Sequence, residues 1–136
     1  MQVTLELLQD GSIIGRAREH SLVLDQPVER GGKGAGFTST ELLLLALGSC
    51  IMGNMRSYAE SRGIPLRAAR FEVADEVAQA PTRVAKVYVD AHLDDELAEA
   101  QLARLAAVGS HCKIHNTLTR GLEVEFTVSA EQVQEG

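Results

Sequence analysis

The chain opens on strict alternation. Val3, Leu5 and Leu7 are separated by Thr4 and Glu6, the period of a half-buried strand. Asp10-Gly11 marks a turn. Residues 13–18 and 21–25 predict two more short strands, so the N-terminal region is expected to be a meander. A run with four glycines in six residues, 31–36, then interrupts the pattern and reads as a flexible loop. Beyond it the period changes. A hydroxyl residue before Glu41 predicts a helix N-cap, and an acid in the first turn suits the helix dipole. Leu44, Leu47, Ile51, Met55 and Tyr58 form one helical stripe, and Leu43, Ala46, Leu47 and Cys50 form an adjoining one. A helix apolar over most of its girth is expected to be buried. It should end near Arg62-Gly63, with Pro65 as a stop.

The second half returns to period two. Phe71, Val73 and Val77 alternate with polar residues, Ala80-Pro81-Thr82 makes a turn, and Val87, Val89, Ala91 and Leu93 alternate again. These runs predict an antiparallel pair. Asp94-Asp95-Glu96 is expected to cap a second helix carrying Leu97, Leu102, Leu105 and Val108, closed by Gly109. Residues 110–120 predict a short helix or turn. Leu122, Val124, Phe126 and Val128 predict a final strand, and the polar tail 131–136 is expected to fray. The order of elements implies an α+β fold with mostly antiparallel strands.

A chain of 136 residues, 45% hydrophobic and 24% charged, is expected to form one domain, 1–136. Its formal charge of -6 argues against a nucleic-acid partner. No unbroken apolar run reaches the roughly 18 residues of a membrane span. The alternating start lacks the basic and apolar regions of a signal peptide. A cytoplasmic location, where thiols rest reduced, is therefore expected. The glycine run contains Gly32-Lys33-Gly34, but no Gly-Lys-Ser/Thr follows at phosphate-loop spacing, which excludes that reading.

Candidate chemistry rests on two cysteines. A buried free cysteine is often a small core hydrophobe. Here Gly48, Ser49 and Gly53 leave space around Cys50, and His111, Lys113 and His115 give Cys112 a cationic setting of the kind that lowers a thiol pKa. Zinc is a rival reading. Cys112 and His115 have C-x-x-H spacing with His111 adjacent, but Cys50, His92 or His20 would have to complete the usual four ligands.

The run from Ser39 through Glu41 and the leucines to Gly48-Ser49-Cys50 resembles the first signature of the OsmC/Ohr (organic hydroperoxide resistance) family. The run from His111-Cys112-Lys113 to Leu118 resembles its second. The two signatures stand about sixty residues apart, and the resemblance spans essentially the whole chain. It implies an OsmC-like fold: antiparallel sheets around a long central helix, in an intertwined homodimer. It also implies a peroxidase acting on organic hydroperoxides. Cys50 would be the attacking thiolate and Cys112 the resolving cysteine. A small dithiol, such as protein-bound dihydrolipoamide, would be the reductant, with no metal or organic cofactor. A glutamate and an arginine assist the cysteine in this family, which nominates Glu41 and either Arg16 or Arg18, with Arg30 as a third choice. Glu41 stands nine residues before Cys50, roughly 13 Å along a straight helix, so its help must come from a partner chain.

Two positions depart from the pattern. The hydroperoxide-resistance branch carries its glutamate ten residues before the cysteine, where this chain has Thr40, and the proline after the second cysteine is Lys113. These departures keep an alternative open, a non-enzymatic member whose cleft binds a small apolar ligand or senses thiol-reactive compounds. A dimeric domain with inert core cysteines is a third reading.

Overall fold

The computed structural model describes residues 1–130; the expected fraying of 131–136 lies outside the described residues. Strands β1 (Thr4–Leu7), β2 (Ile13–Ala17) and β3 (His20–Leu24) form an antiparallel meander, with Leu7 opposite Ile13 and Ile13 opposite Leu24. Helix α1 (Ser39–Arg62) follows. Strands β4 (Ala69–Ala78) and β5 (Arg83–Leu93) make a second antiparallel sheet, joined by a turn containing a cis Ala80–Pro81 bond. Helices α2 (Glu99–Gly109) and α3 (Lys113–Arg120) complete the described fold. It is α+β with antiparallel sheets and one long helix, as the periodicities imply.

The glycine-rich loop is clasped rather than flexible. The Asp25 carboxylate accepts from the backbone N–H groups of Gln26 (2.9 Å), Lys33 (3.1 Å) and Ala35 (3.1 Å). Phe37 then returns to β3: its N–H donates to the Val23 carbonyl at 3.1 Å, and its own carbonyl accepts from Asp25 at 3.0 Å. This clasp delivers the chain to Thr38 in an extended conformation, ready to start α1. The Thr38 hydroxyl accepts from Glu41 N–H at 3.1 Å, and the Glu41 carboxylate accepts from Thr38 N–H at 2.8 Å. This reciprocal cap satisfies two of the unpaired groups at the helix start. At the other end Gly63, with φ +66°, takes the left-handed cap conformation.

The core is one face of α1. Leu47, Ile51, Met55 and Ala59, spaced by four, are buried with Ile64, Leu97, Leu105 and Cys112. Phe71, Val87 and Val89 from the second sheet pack against them. Each large aliphatic side chain so buried contributes about 1.5–3 kcal/mol. Gly109 lets α2 rest directly on α1. A Cβ there would lie 2.8 Å from Met55 Cε and 3.1 Å from Ile51 Cγ2. That close approach sets where the chain goes next, which is Cys112.

Three further expectations are corrected. First, α1 is covered on one face only. Leu45 is 53% exposed, and Ala46, Ser49 and Gly53 are exposed too, because β4, α2 and α3 all lie on the same side. The helix is also long and apolar enough, with mean hydropathy 1.2, to cross a membrane by length and composition, a test that core helices of soluble proteins pass as well. Second, residues 122–128 form no strand in this chain; Leu122, Val124, Phe126 and Val128 are 67–86% exposed. Alternation records which faces a strand would have, but a ladder also needs an edge to pair with. Third, Asp94 does not cap α2. Its carboxylate accepts from Arg67 N–H (2.6 Å) and Ala68 N–H (2.8 Å), tying the segment after α1 to the end of β5. The α2 N-terminus is Ala98, whose N–H donates to the Gln101 side chain at 2.9 Å.

The clasp predicts a pH dependence. The Ala35 N–H foremost, with those of Lys33 and Gln26, holds the Asp25 carboxyl below the usual carboxylate range, against the pull of desolvation and of Asp10. The stability this contributes is fully present above the ordinary aspartate value of about 3.9 and is lost as pH falls through the lower folded value. The urea midpoint should therefore drop across that acid window, and less steeply in Asp25→Asn. Asp10, held low mainly by the Ser12 hydroxyl, keeps part of the slope in the variant. Gly109→Val should cost about 1–3 kcal/mol by overpacking against α1, read from the same titration at neutral pH.

Candidate active site

Cys50 lies in the middle of α1, half-buried, three residues beyond the core residue Leu47. Cys112 is buried and occupies the N-cap of α3, immediately after the turn that ends α2. The two segments are fastened to each other next to the thiols. Asn54, one turn beyond Cys50 on α1, donates from its amide to the Val108 carbonyl at the end of α2. His111 N–H donates to the same carbonyl at 3.1 Å, and the His111 ring nitrogen Nδ1 lies 2.8 Å from the Ala107 carbonyl. Both cysteines are free thiols in this structure.

The N-terminus of α3 decides how the two thiols differ. A helix start leaves N–H groups without helical partners and carries partial positive charge. The Cys112 sulfur takes the capping position usually held by Ser, Thr or Asp, and accepts from His115 N–H at 3.3 Å. The Cys50 sulfur meets the same helix end. The Ile114 N–H most of all, then the Cys112 thiol, the Lys113 N–H and the Lys113 charge, hold the Cys50 thiol below its ordinary range, against desolvation. Burial pushes the Cys112 thiol up, and the neighbouring Cys50 adds to the rise, while His115 N–H opposes it. Of the flanking cations only the Lys113 charge acts here, on Cys50 and as the smallest of its causes, while burial governs Cys112 itself. The arrangement suits Cys50 as the thiolate and Cys112 as a protonated neighbour that donates to it.

The remaining sequence candidates are placed elsewhere. Glu41 is exposed and engaged in the α1 cap. It also borders a groove of about 440 Å³ beside α1, with Phe37, Leu44, Gly48, Met52 and Phe71. Arg16 on β2 pairs with Glu6 on β1. Arg18, with φ +56°, is exposed in the turn between β2 and β3, and Arg30 lines a small cavity at the glycine loop. Among the described residues, Glu41 and Arg16 bond to Thr38 and Glu6 and not to the cysteines. The metal-ligand spacing of Cys112 and His115 is not realised by side chains; it is His115 N–H that meets the sulfur. The described group with metal-like spacing is Glu72, Asp90 and His92 on the exposed face of the second sheet, where Asp90 pairs with His92 and Glu72 with Arg70. The groups that sequence reasoning missed are main-chain ones, the Lys113 and Ile114 amides. Their one signal is a cysteine placed directly before a short helix.

The chain resembles several solved structures. A Psychrobacter arcticus protein, provisionally named as an osmotic stress induced and detoxification response protein, matches with TM-score 0.78 and 22% identity over 86% of this chain and 87% of that one. An OsmC-like protein from Mycoplasma pneumoniae matches with TM-score 0.76 and 19% identity over 87% and 86%. An organic hydroperoxide resistance protein from Legionella pneumophila matches with TM-score 0.67 and 20% identity over 86% and 87%. At these identities the likeness establishes a shared fold. No curated protein matches the sequence. The family model described as OsmC-like protein matches residues 32–127, a span that runs from the glycine loop through both cysteines, and on that ground the chain belongs to the OsmC/Ohr family.

Proposed function

We propose that this protein is a cysteine-based peroxidase that reduces organic hydroperoxides. The observation that carries the reading is the pairing of a half-exposed Cys50 sulfur, favoured as thiolate by the α3 N-terminus, with the buried Cys112 thiol beside it. The Legionella relative's name supports the substrate class. The Cys50 thiolate attacks the terminal oxygen of ROOH, the O–O bond breaks, and ROH leaves with one proton. Cys50 becomes a sulfenic acid. Cys112 then attacks the Cys50 sulfur, the S–O bond breaks, water leaves and a disulfide forms. A small dithiol, possessing the reach of a lipoyl arm, returns both thiols by exchange. The single domain 1–136 needs no metal or organic cofactor for these steps.

The working unit in this proposal is an intertwined homodimer. The exposed face of α1 around Leu45 and the exposed, alternating segment 122–128 both present large apolar side chains to solvent. A second copy covers both. The dimer also gives Glu41, and Arg16 or Arg18, a route to the partner's Cys50 that helix geometry denies them within one chain. One observation favours the alternative of a thiol-reactive sensor or apolar-ligand binder: Glu41 is already held by Thr38 in the helix cap.

Thiol counting separates the readings. Cumene hydroperoxide should consume both thiols quickly, with turnover restored by a dithiol; loss of one thiol, slowly, is the result expected of a sensor. Cys50→Ser should abolish turnover, and Cys112→Ser should stop after one equivalent with a sulfenic acid that dimedone traps. Unchanged turnover in Cys50→Ser refutes the mechanism. The rate of Cys50 alkylation should reach half its maximum below the ordinary thiol value of about 8.5, and Lys113→Met should move that midpoint upward. In solution the protein should elute as a dimer. Leu45→Glu should shift it toward monomer and depress turnover together, whereas a fully active monomer contradicts the shared site.

A further inference from the structure

The outer face of the second sheet carries its charges in an order that strand pairing alone does not favour. Arg70 and Glu72 on β4, and Asp90 and His92 on β5, are exposed there, while Phe71 and Val89 between them pack against the core. The register sets Arg70 opposite His92 and Glu72 opposite Asp90. Farther along the same face Glu76 stands opposite Lys86. Opposite charges across a ladder support it, and like charges directly opposite weaken it. At Glu72 and Asp90 the sheet has the unfavourable arrangement. The ion pairs that form there run along each strand instead, Arg70 with Glu72 and Asp90 with His92 at 3.0 Å. Among the described residues, neither of these pairs crosses from β4 to β5.

The two carboxylates and the imidazole nevertheless converge. One oxygen of Glu72, one oxygen of Asp90 and one ring nitrogen of His92 all lie within 4.8 Å of one another. The ladder beneath them is regular from Ala69 to Glu76, so their backbones are fixed relative to each other. Ligands about 2.1 Å from a zinc-sized ion stand about 3.4 Å apart in a tetrahedron. Rotation of three exposed side chains closes that difference. A cation between them meets an acid from each strand and turns the like-charge pair into a bridge.

We propose that Glu72, Asp90 and His92 bind a first-row divalent metal ion that clamps β4 to β5. The donor set selects the class. Two carboxylates with an imidazole suit zinc and its neighbours, whereas calcium takes six to eight oxygens. Three protein ligands leave a further position to water. A carboxylate only accepts, so in the ion-free sheet Nε2 of His92 holds the proton in its contact with Asp90. On binding, that proton goes to solvent and the ring lone pair goes to the ion. Glu72 exchanges Arg70 for the ion in the same step, which makes Arg70 the competitor of the metal. Neither cysteine is a ligand, so the inference does not rest on the peroxidase reading.

Zinc titrated into the full chain tests it, followed by the imidazole signals of His20, His92, His111 and His115 and by the backbone amide signals of Glu72 and Asp90. The His92 signals should move and saturate at one ion per chain. In His92→Gln and in Asp90→Asn the amide signals should report weaker binding, by more than the roughly tenfold that loss of a supporting residue costs at a metal site. Arg70→Gln should tighten binding several-fold, roughly the release of one competing ion pair. All four side chains are exposed, and an otherwise unchanged amide spectrum verifies that each variant folds. His92 signals that stay still overturn the proposal, including when Cys50 and Cys112 take up the zinc. Shifts that never saturate, or that persist at wild-type affinity in both His92→Gln and Asp90→Asn, overturn it as well.

Discussion

The first turn of α3 is the constraint on which the rest depends. An eight-residue helix begins with N–H groups that have no helical partners. Most proteins satisfy them with oxygen. Here sulfur does so from two directions: Cys112 within the helix's own cap, and Cys50 from α1. Sulfur is a weak acceptor when protonated and a strong one as thiolate. The same few N–H groups therefore serve local structure at one cysteine and favour charge at the other. Their placement depends on a chain of contacts. The Asp25 clasp sets the entry to α1, Gly109 lets α2 lie on α1, and Asn54 fastens the α2 terminus one turn from Cys50. Of these, Gly109 and Asn54 act where α2 meets α1, just before α3 begins.

The long helix gives the fold its incompleteness. The buried stripe from Leu47 to Ala59 is narrower than the apolar surface of α1, and what remains faces outward with Leu45. Contiguous exposed apolar patches mark interaction surfaces more often than accidents. The same holds for the alternating segment 122–128, which has strand chemistry without a ladder. Both features have one physical explanation under the dimer proposal: a second copy supplies the missing face and the missing edge.

Much of the architecture was legible along the chain, because period and punctuation are local. The alternations of β1 to β5, the Thr-Ser-Thr-Glu start and Arg62-Gly63 end of α1, and the turn at Ala80-Pro81 emerge where the residues place them. What failed did so for non-local reasons. Asp94 has the chemistry of a cap, yet Arg67 and Ala68 lie closer to it in space than α2 does. The glycine run is flexible by composition, but a carboxylate eight to ten residues earlier in the chain holds it. At the site, the two cysteines were legible as a pair through family signatures. The direction of their difference was not, since it depends on main-chain amides that every residue type carries alike.

That difference gives the site a division of labour that neither cysteine has alone. A low thiol pKa makes an attacking sulfur available, while a buried thiol stays protonated and inert toward small oxidants. If both were thiolates, they would repel at the helix end they share; if both were thiols, neither would react. Placing one beside the α3 amides and the other under the α3 cap separates the roles by main-chain N–H groups at Cys50 and by burial at Cys112. Under the proposed chemistry the cost is that the second thiol must later lose a proton in a place that disfavours its charge, and the His115 N–H at the Cys112 sulfur offsets part of that cost.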